Sequence, residues 1–185
     1  MAKEHLEALF KVIDQATTML DGALHTSMID ALIEVGEDMH AHDIQQEDGV
    51  PDAVTTAKLK ALFESVDLNS YSADEIRQAL QLVMVKAAEH DQLEPNQQIT
   101  PDALATLASF LISTMTPTMP ANYQIGDIAA GSGNLLFAVM NQLKDARQTQ
   151  VHGYAVDNNE NLLALASMSA ALQKIDVDLY HQDAI

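Results

Sequence analysis

An alternation of short strand-like runs and helical runs between Tyr123 and His181 constrains the fold more than any other feature of the sequence. The runs 123–128, 151–156 and 177–181 are short and rich in apolar residues, which predicts strands. The stretches between them, 134–146 and 159–174, carry apolar residues at helical spacing. Strand, helix, strand, helix, strand at this spacing predicts the opening of a doubly wound parallel sheet.

The residues before this region predict helices. Apolar residues recur at helical spacing in 6–20 and 24–39, and Gly22 between these runs predicts a break. The acidic segment 40–49 lacks periodicity and predicts a loop. Four side chains in or beside this loop resemble metal ligands, but their spacing fits no known site, so we interpret them as solvated: Asp38, His40, His42 and Asp43.

Pro51 is predicted to be the first residue of a third helix, whose apolar face carries Ala57, Leu62 and Val66. Ser72 and Glu75 form a capping-box pattern ahead of a fourth helix. The polar segment 94–98 is the best candidate for a linker. We therefore predict a helical N-terminal domain over residues 1–95 and a second domain over residues 99–185.

A helix is also predicted after Thr100 and Pro101, with Thr100 interpreted first as its cap. Pro117 and Pro120 are expected to end it, because proline lacks a backbone donor. The predicted apolar face of this helix consists of Leu104, Leu107, Ala108, Leu111 and Met115. The three strands that follow are expected to leave one apolar sheet face partly uncovered, so we interpret the chain as part of a longer protein.

Composition limits the functional classes. The absence of cysteine excludes a disulfide scaffold, a Cys-ligated zinc site and a thiol nucleophile, and fits a cytoplasmic protein. The N-terminal residues show no secretory signal, and no apolar stretch is long enough to cross a membrane. Nine Lys and Arg against 27 Asp and Glu give a net charge of -18. Such a surface repels phosphates, although solubility alone also explains it.

The loop after the first strand carries the main chemical signal. Asp127 is expected at the strand's carboxyl end, and Gly131 and Gly133 flank Ser132 in a tight turn. Glycine tolerates positive φ and lets a ligand lie against the backbone. The loop lacks the third glycine of a dinucleotide site, where it has Leu136, and Asp127 would repel a diphosphate. A cationic nucleoside without phosphate fits this loop better.

Acidic residues follow the next two strands as well. Asp157 ends the second strand, where a carboxylate can accept hydrogen bonds from both ribose hydroxyls of a nucleoside cofactor. Asp183 follows the third strand, where it either reaches an adenine amine or caps a helix. Three acids after three successive strands are a more specific signal than the glycines alone.

Four segments together resemble the motifs of adenine-N6 DNA methyltransferases of the YtxK-like type. Residues 127–136 resemble the first motif, Asp-Pro-Ala-x-Gly-Ser/Thr-Gly, with Ile128 in place of the proline. Ile99, Thr100 and Pro101 resemble the Thr-Pro motif that precedes it. Residues 153–157 and 181–183 are similar to the second and third motifs. The helical first half is similar to the N-terminal region of the same group, through residues 14–39 above all.

This resemblance implies an α/β fold in which a helical N-terminal domain precedes the first part of a doubly wound, Rossmann-like methyltransferase sheet. It implies that S-adenosylmethionine is the cofactor and that a methyl group passes to an amine, with adenine N6 of DNA as the expected acceptor. Thr100 is expected to close over the methionine end of the cofactor. The full set of expected cofactor-binding residues is Thr100, Asp127, Ala129, Gly131, Gly133, Asn134, Asp157 and Asp183.

Other expectations remain open. Asn134 is expected either to present a helix-start amide to the cofactor or to cap its own helix. In the family, the Asn/Asp-Pro-Pro-aromatic catalytic motif follows the fourth strand, so we expect no catalytic residue and no activity in this chain by itself. A homodimer and DNA are the expected partners, although the charge does not support DNA. The alternative is a degenerate, non-catalytic binding or regulatory module.

Overall fold

The structure, a computed structural model, describes residues 2–92, 100–118, 120, 122–147 and 150–183. They belong to two compact units, Met1–Gln98 and Ile99–Ile185. The predicted linker 94–98 and the motif residue Ile99 lie outside the described residues. No helix in the described ranges combines the length and apolar character that a membrane span requires.

The first unit is helical. Its elements are α1 (Ala2–Leu24), α2 (Met28–Ala41), α3 (Ala53–Glu64), a short 3-10 turn (Leu68–Ser70) and α4 (Ala73–His90). α1 packs against the other three helices. Large aliphatic side chains fill the core: Leu9, Ile13, Leu20, Leu32, Val35, Leu59, Leu80 and Val83.

Two predicted boundaries in this unit are wrong. Gly22 lies inside α1, which continues to Leu24 and gives way to His25 in the left-handed region. A single glycine costs a helix only about 1 kcal/mol, which the packing of a long amphipathic helix outweighs. Pro51 precedes α3, because Asp52 is the N-cap and its carboxylate accepts the Thr55 N–H. An N-cap aspartate satisfies a free helix donor, which proline at this point cannot do.

Other details of the helical unit also differ from expectation. α3 ends at Glu64, so Val66 lies outside it, and Leu59 is the side chain of α3 that is buried. α2 extends to Ala41, and Asp38 is fully buried on it instead of lying in a solvated loop. The predicted capping box is confirmed: Ser72 and Glu75 exchange hydrogen bonds at the start of α4.

The second unit contains the predicted alternation. α5 (Asp102–Met115) precedes β1 (Asn122–Asp127), α6 (Asn134–Arg147), β2 (Gln150–Asp157), α7 (Glu160–Gln173) and β3 (Val177–His181). The strands form a parallel sheet in the order β1-β2-β3. The predicted parallel α/β arrangement is therefore confirmed.

One face of the sheet carries the core of this unit. Val151 and Ala155 of β2 pack with Phe137 and Met140 of α6 in one apolar cluster. A Cβ on Gly153 would lie 2.8 Å from the Met140 sulfur, so glycine lets α6 approach β2 closely.

α6 and α7 are also joined by buried amides. Asn141 Nδ2 donates to Gln173 Oε1 at 3.0 Å, and Gln173 Nε2 donates to Ser169 Oγ at 2.8 Å.

Apart from Val156, the side chains that alternate with this core are polar or aromatic, not the apolar set that we expected. Gln124 donates to the Tyr154 hydroxyl at 3.3 Å. His152 lies between two carboxylates, 3.0 Å from Asp176 and 3.2 Å from Asp178. These strands are thus amphipathic, a pattern that the short apolar runs concealed.

The predicted contact face of α5 is wrong except for Ala108, which packs against the core of this unit. Ala105 and Ser109 are buried, whereas Leu104, Leu107, Leu111 and Met115 are 48 to 82% exposed. Small residues permit the close approach of α5 to α6, the helix that it contacts most. Thr100 does not cap α5 either, because Pro101 is the N-cap and makes no side-chain cap hydrogen bond.

Candidate functional site

The loop after β1 is a tight turn held against β2. Asp127 ends β1, and its Oδ1 accepts the N–H of Ala129 at 3.0 Å. Ala130 donates its N–H to the carbonyl of Val156 at 3.0 Å, and Gly133 donates to the carbonyl of Ala130 at 2.8 Å. The loop conformation is thereby fixed by backbone bonds before any ligand is considered.

Both loop glycines adopt positive φ, as the sequence predicted, but their surroundings differ. Gly131 has φ +54° and Gly133 has φ +73°. A Cβ on Gly133 would lie 2.5 Å from the Phe137 ring, so this glycine makes room for a core side chain. Apart from its neighbours in the chain, the nearest heavy atom to a Cβ on Gly131 would be Leu162 Cδ1, at 3.9 Å. Gly131 therefore leaves its backbone open to a ligand, which is the role that the sequence assigned to both.

Asp157 connects three segments of the site. Its Oδ2 accepts the N–H of Gly131 at 2.7 Å, and its Oδ1 accepts the N–H of Asn159 at 2.9 Å. Its backbone carbonyl accepts the N–H of Gln182 at 3.0 Å. An ionised carboxylate has about four acceptor positions. These two side-chain bonds leave each oxygen of Asp157 able to accept a further hydrogen bond.

The three acidic residues lie at one edge of the sheet. Asp127 pairs in register with Ala155, and Asp157 pairs with His181. All three strands are parallel, so their carboxyl ends share an edge, and Asp183 follows β3 there with an exposed side chain. The carboxyl-end edge is where open α/β sheets bind their ligands.

Asn134 has a contact that sequence reasoning missed. It is the first residue of α6 and is 6% exposed, and its Nδ2 donates to the carbonyl of Thr100 at 3.2 Å. The bond ties the segment before α5 to the end of the glycine loop. Thr100 thus belongs to the site through its main chain, although it does not cap its helix. The two residues are far apart in the chain, and no spacing rule connects them.

The described residues contain no group of three side chains that could hold a metal ion. Ile128, at the position where the motif has proline, is 70% exposed, so its side chain packs little against the loop. The candidate site combines the carboxylates of Asp127, Asp157 and Asp183 with the loop that contains Gly131.

Two family models match the chain. Residues 7–88 match the YtxK N-terminal helical domain, and residues 72–185, more than half of the chain, match the N-6 DNA methylase family. The chain belongs to the N-6 DNA methylase family. Its helical unit is YtxK-like, which confirms the resemblance read from the motifs.

Similar proteins support this assignment. YtxK of Bacillus subtilis, described as uncharacterized, is 32% identical over the whole of this chain, which covers 54% of that protein. A structure from Listeria monocytogenes, provisionally assigned as a class I S-adenosylmethionine-dependent methyltransferase, has 33% identity and a TM-score of 0.88. The match covers 97% of this chain and 54% of that one.

A type I restriction-modification methyltransferase subunit from Streptococcus thermophilus shares the fold, with a TM-score of 0.59 at 19% identity. That match covers 94% of this chain and 39% of the subunit. The chain thus consists of a helical domain followed by the first part of a methyltransferase fold. It spans about half the length of the first relatives that it matches.

Proposed function

We propose that residues 99–185 bind S-adenosylmethionine and that the whole protein transfers its methyl group to adenine N6 in DNA. The observation that carries the proposal is the 2.7 Å hydrogen bond from the Gly131 N–H to Asp157 Oδ2. It brings the open glycine next to a carboxylate that retains acceptor capacity, and a nucleoside cofactor needs both.

The residues present suit this cofactor. The free lone pairs of Asp157 accept the ribose hydroxyls, and Asp183 accepts the adenine amine. Asp127 contributes negative charge beside the loop, which favours a cationic ligand and disfavours a diphosphate. Thr100 covers the methionine end, as the family resemblance implies. When bound, S-adenosylmethionine supplies an electrophilic methyl group on a positively charged sulfur.

Orientation is the contribution of this unit to the reaction. Asp157 holds the loop after β1, the start of α7 and the chain after β3 in fixed relation. A cofactor bound across these segments has its methyl group fixed relative to the acceptor, and such positioning supplies much of the catalysis in an in-line displacement.

Isothermal titration calorimetry of the 185-residue chain with S-adenosylmethionine tests cofactor binding. Asp157→Asn is expected to weaken binding at least tenfold, because it loses a ribose acceptor and the Gly131 bond. Asp176→Asn is the matched control: it makes the same charge change just before β3, at the far end of the strand, where the side chain is 79% exposed. No binding by the parent chain, or equal losses in both variants, would contradict the proposal.

The acceptor needs a separate test on a protein as long as the relatives. We expect methyl transfer to unmethylated DNA, measured at low salt. Salt screens the repulsion between DNA and the net charge of -18 on this part of the protein least under that condition, so the test is most demanding there. That charge is the observation that favours the second candidate, a cofactor-binding regulatory module. Cofactor binding without methylation of DNA would support the module.

A further inference from the structure

A cavity of about 440 Å³ lies in the helical unit. Its walls come from the end of α2, the loop 42–46, α3 and the segment 66–69. Met39, Ile44, Phe63, Val66 and Leu68 give it an apolar lining. A volume of this size is within the usual range for small-molecule sites.

Asp38 lines this cavity and is the unusual group in it. The residue is 0% exposed, and its Oδ1 accepts the N–H of Gln45 at 2.9 Å. Its Oδ2 is buried and has no hydrogen-bond partner among the described residues. Buried carboxylate oxygens are normally paired, because an unpaired one loses its hydration without compensation.

The charges around the cavity favour a cation. Asp43, Glu64 and Asp67 also line it, against Lys60 as the one Lys or Arg in the lining. The pKa of Asp38 is raised to about 6, first of all by burial and then by the neighbouring Glu34, Asp43 and Glu37, against the opposing hydrogen bond from Gln45. A cation placed against Asp38 would relieve both the burial and the repulsion.

We propose that this cavity binds a small organic cation with an apolar body, whose ammonium group donates to Asp38 Oδ2. The apolar lining takes the body, with Phe63 available to stack on a ring. All of the lining residues lie in the helical unit, and none of them is among the expected cofactor-binding residues.

The test uses three probes with the same phenylethyl body at pH 7.5: 2-phenylethylamine, the neutral 2-phenylethanol and the anion 3-phenylpropionate. Each is titrated into the ¹⁵N-labelled chain while the amide resonances of Ile44, Phe63 and Leu68 are followed. The amine is expected to give saturable shifts, and the alcohol and the anion are expected to bind at least tenfold more weakly.

Variants assign the effect to Asp38. Asp38→Asn is expected to weaken amine binding at least tenfold, whereas Glu89→Gln, an equal charge change on the exposed side of α4, is expected to leave it within twofold. Lys60→Gln alters an exposed position and is expected to tighten binding, which gives a readout even if Asp38→Asn fails to fold. No saturable shift with the amine, equal binding of the three probes, or unchanged affinity in Asp38→Asn and Lys60→Gln would overturn the proposal.

Discussion

Gly131 and Gly133 show how two identical residues, two positions apart, serve different needs. Both occupy the left-handed region, which costs any other L-residue about 1 kcal/mol or more. A Cβ on Gly133 would also enter the Phe137 ring, whereas a Cβ on Gly131 would meet only Leu162 at 3.9 Å. Gly133 is therefore a packing residue, whereas Gly131 has room beside its backbone.

Gly133→Ala is expected to destabilise the second unit by about 2–4 kcal/mol, through backbone strain and overpacking against Phe137. Gly131→Ala is the matched variant and should cost about 1 kcal/mol, from the strain alone. Amide hydrogen exchange of α6 measures both changes. Equal losses of protection in the two variants would refute this division.

Side-chain environment is the level at which sequence reasoning was weakest. The spacing of glycines and acids located the loop, Asp127 and Asp157, because strand ends and turns leave local signals. It could not distinguish Gly133 from Gly131, since the difference depends on a phenyl ring that comes from the next helix. It also placed Asp38 in solvent, because Asp38 stands among other acids in the sequence and nothing in that pattern distinguishes the buried acid from the exposed ones.

Helix ends in the first unit are tied together by Asp91, which follows α4. Its Oδ1 accepts the N–H of Met28 at 3.1 Å and its Oδ2 accepts that of Ile29 at 2.9 Å, so it caps the start of α2. Burial works to raise the pKa of Asp91, but the hydrogen bonds from His90, Ile29 and Met28 together outweigh it and hold that pKa below its usual range.

Asp91→Ala is expected to destabilise the first unit by about 1–3 kcal/mol at pH 7, because two backbone donors lose their acceptor. The folded pKa is lowered, so this stability is present above the unfolded pKa of about 3.9 and is lost as the pH falls through the folded pKa. Urea unfolding between pH 7 and pH 3 measures the difference from the parent chain. Glu89→Ala, on the exposed side of α4, is the control. A difference that does not shrink at acid pH would contradict the capping role.

The elements themselves were largely predictable, and the faces that they bury were less so. The bounds of β3 are those predicted, α6 is longer than predicted by one residue at its C-terminal end, and α7 is shorter by one residue at each end. Of the predicted face of α5, Ala108 packs against the core beside the buried Ala105 and Ser109, whereas the three leucines and Met115 are exposed. A hydrophobicity pattern favours the face with the large aliphatic side chains, whereas two closely packed helices need small side chains between them. The sequence pattern alone therefore predicted the wrong contact face.

Each of the two units has its own apolar core. Leu80 lies in the core of the first unit, and Leu143 lies in that of the second, each 1% exposed. Substitutions at separate sites with no shared neighbours normally have additive effects.

Leu80→Ala is expected to cost the first unit about 2–5 kcal/mol and to leave the protection of α6 and α7 unchanged. Leu143→Ala is the reciprocal variant and should lower protection in the second unit without affecting α1 and α4. Hydrogen exchange with mass spectrometry resolves the two units in one measurement. A loss of protection in both units from either variant would show that they unfold together.

The buried side-chain hydrogen bond between α6 and α7 has a consequence for the whole second unit. Two apolar helix surfaces can slide past each other by a small distance. A shift of α6 along α7 would, however, break the Asn141–Gln173 hydrogen bond and leave its polar atoms buried without partners. α6 starts directly after Gly133, and α7 starts three residues after Asp157. The buried Asn141–Gln173 hydrogen bond therefore fixes the axial alignment of α6 and α7. It thereby also helps to fix the separation between the Gly131–Gly133 turn and the Asp157 carboxylate at the carboxyl end of the sheet.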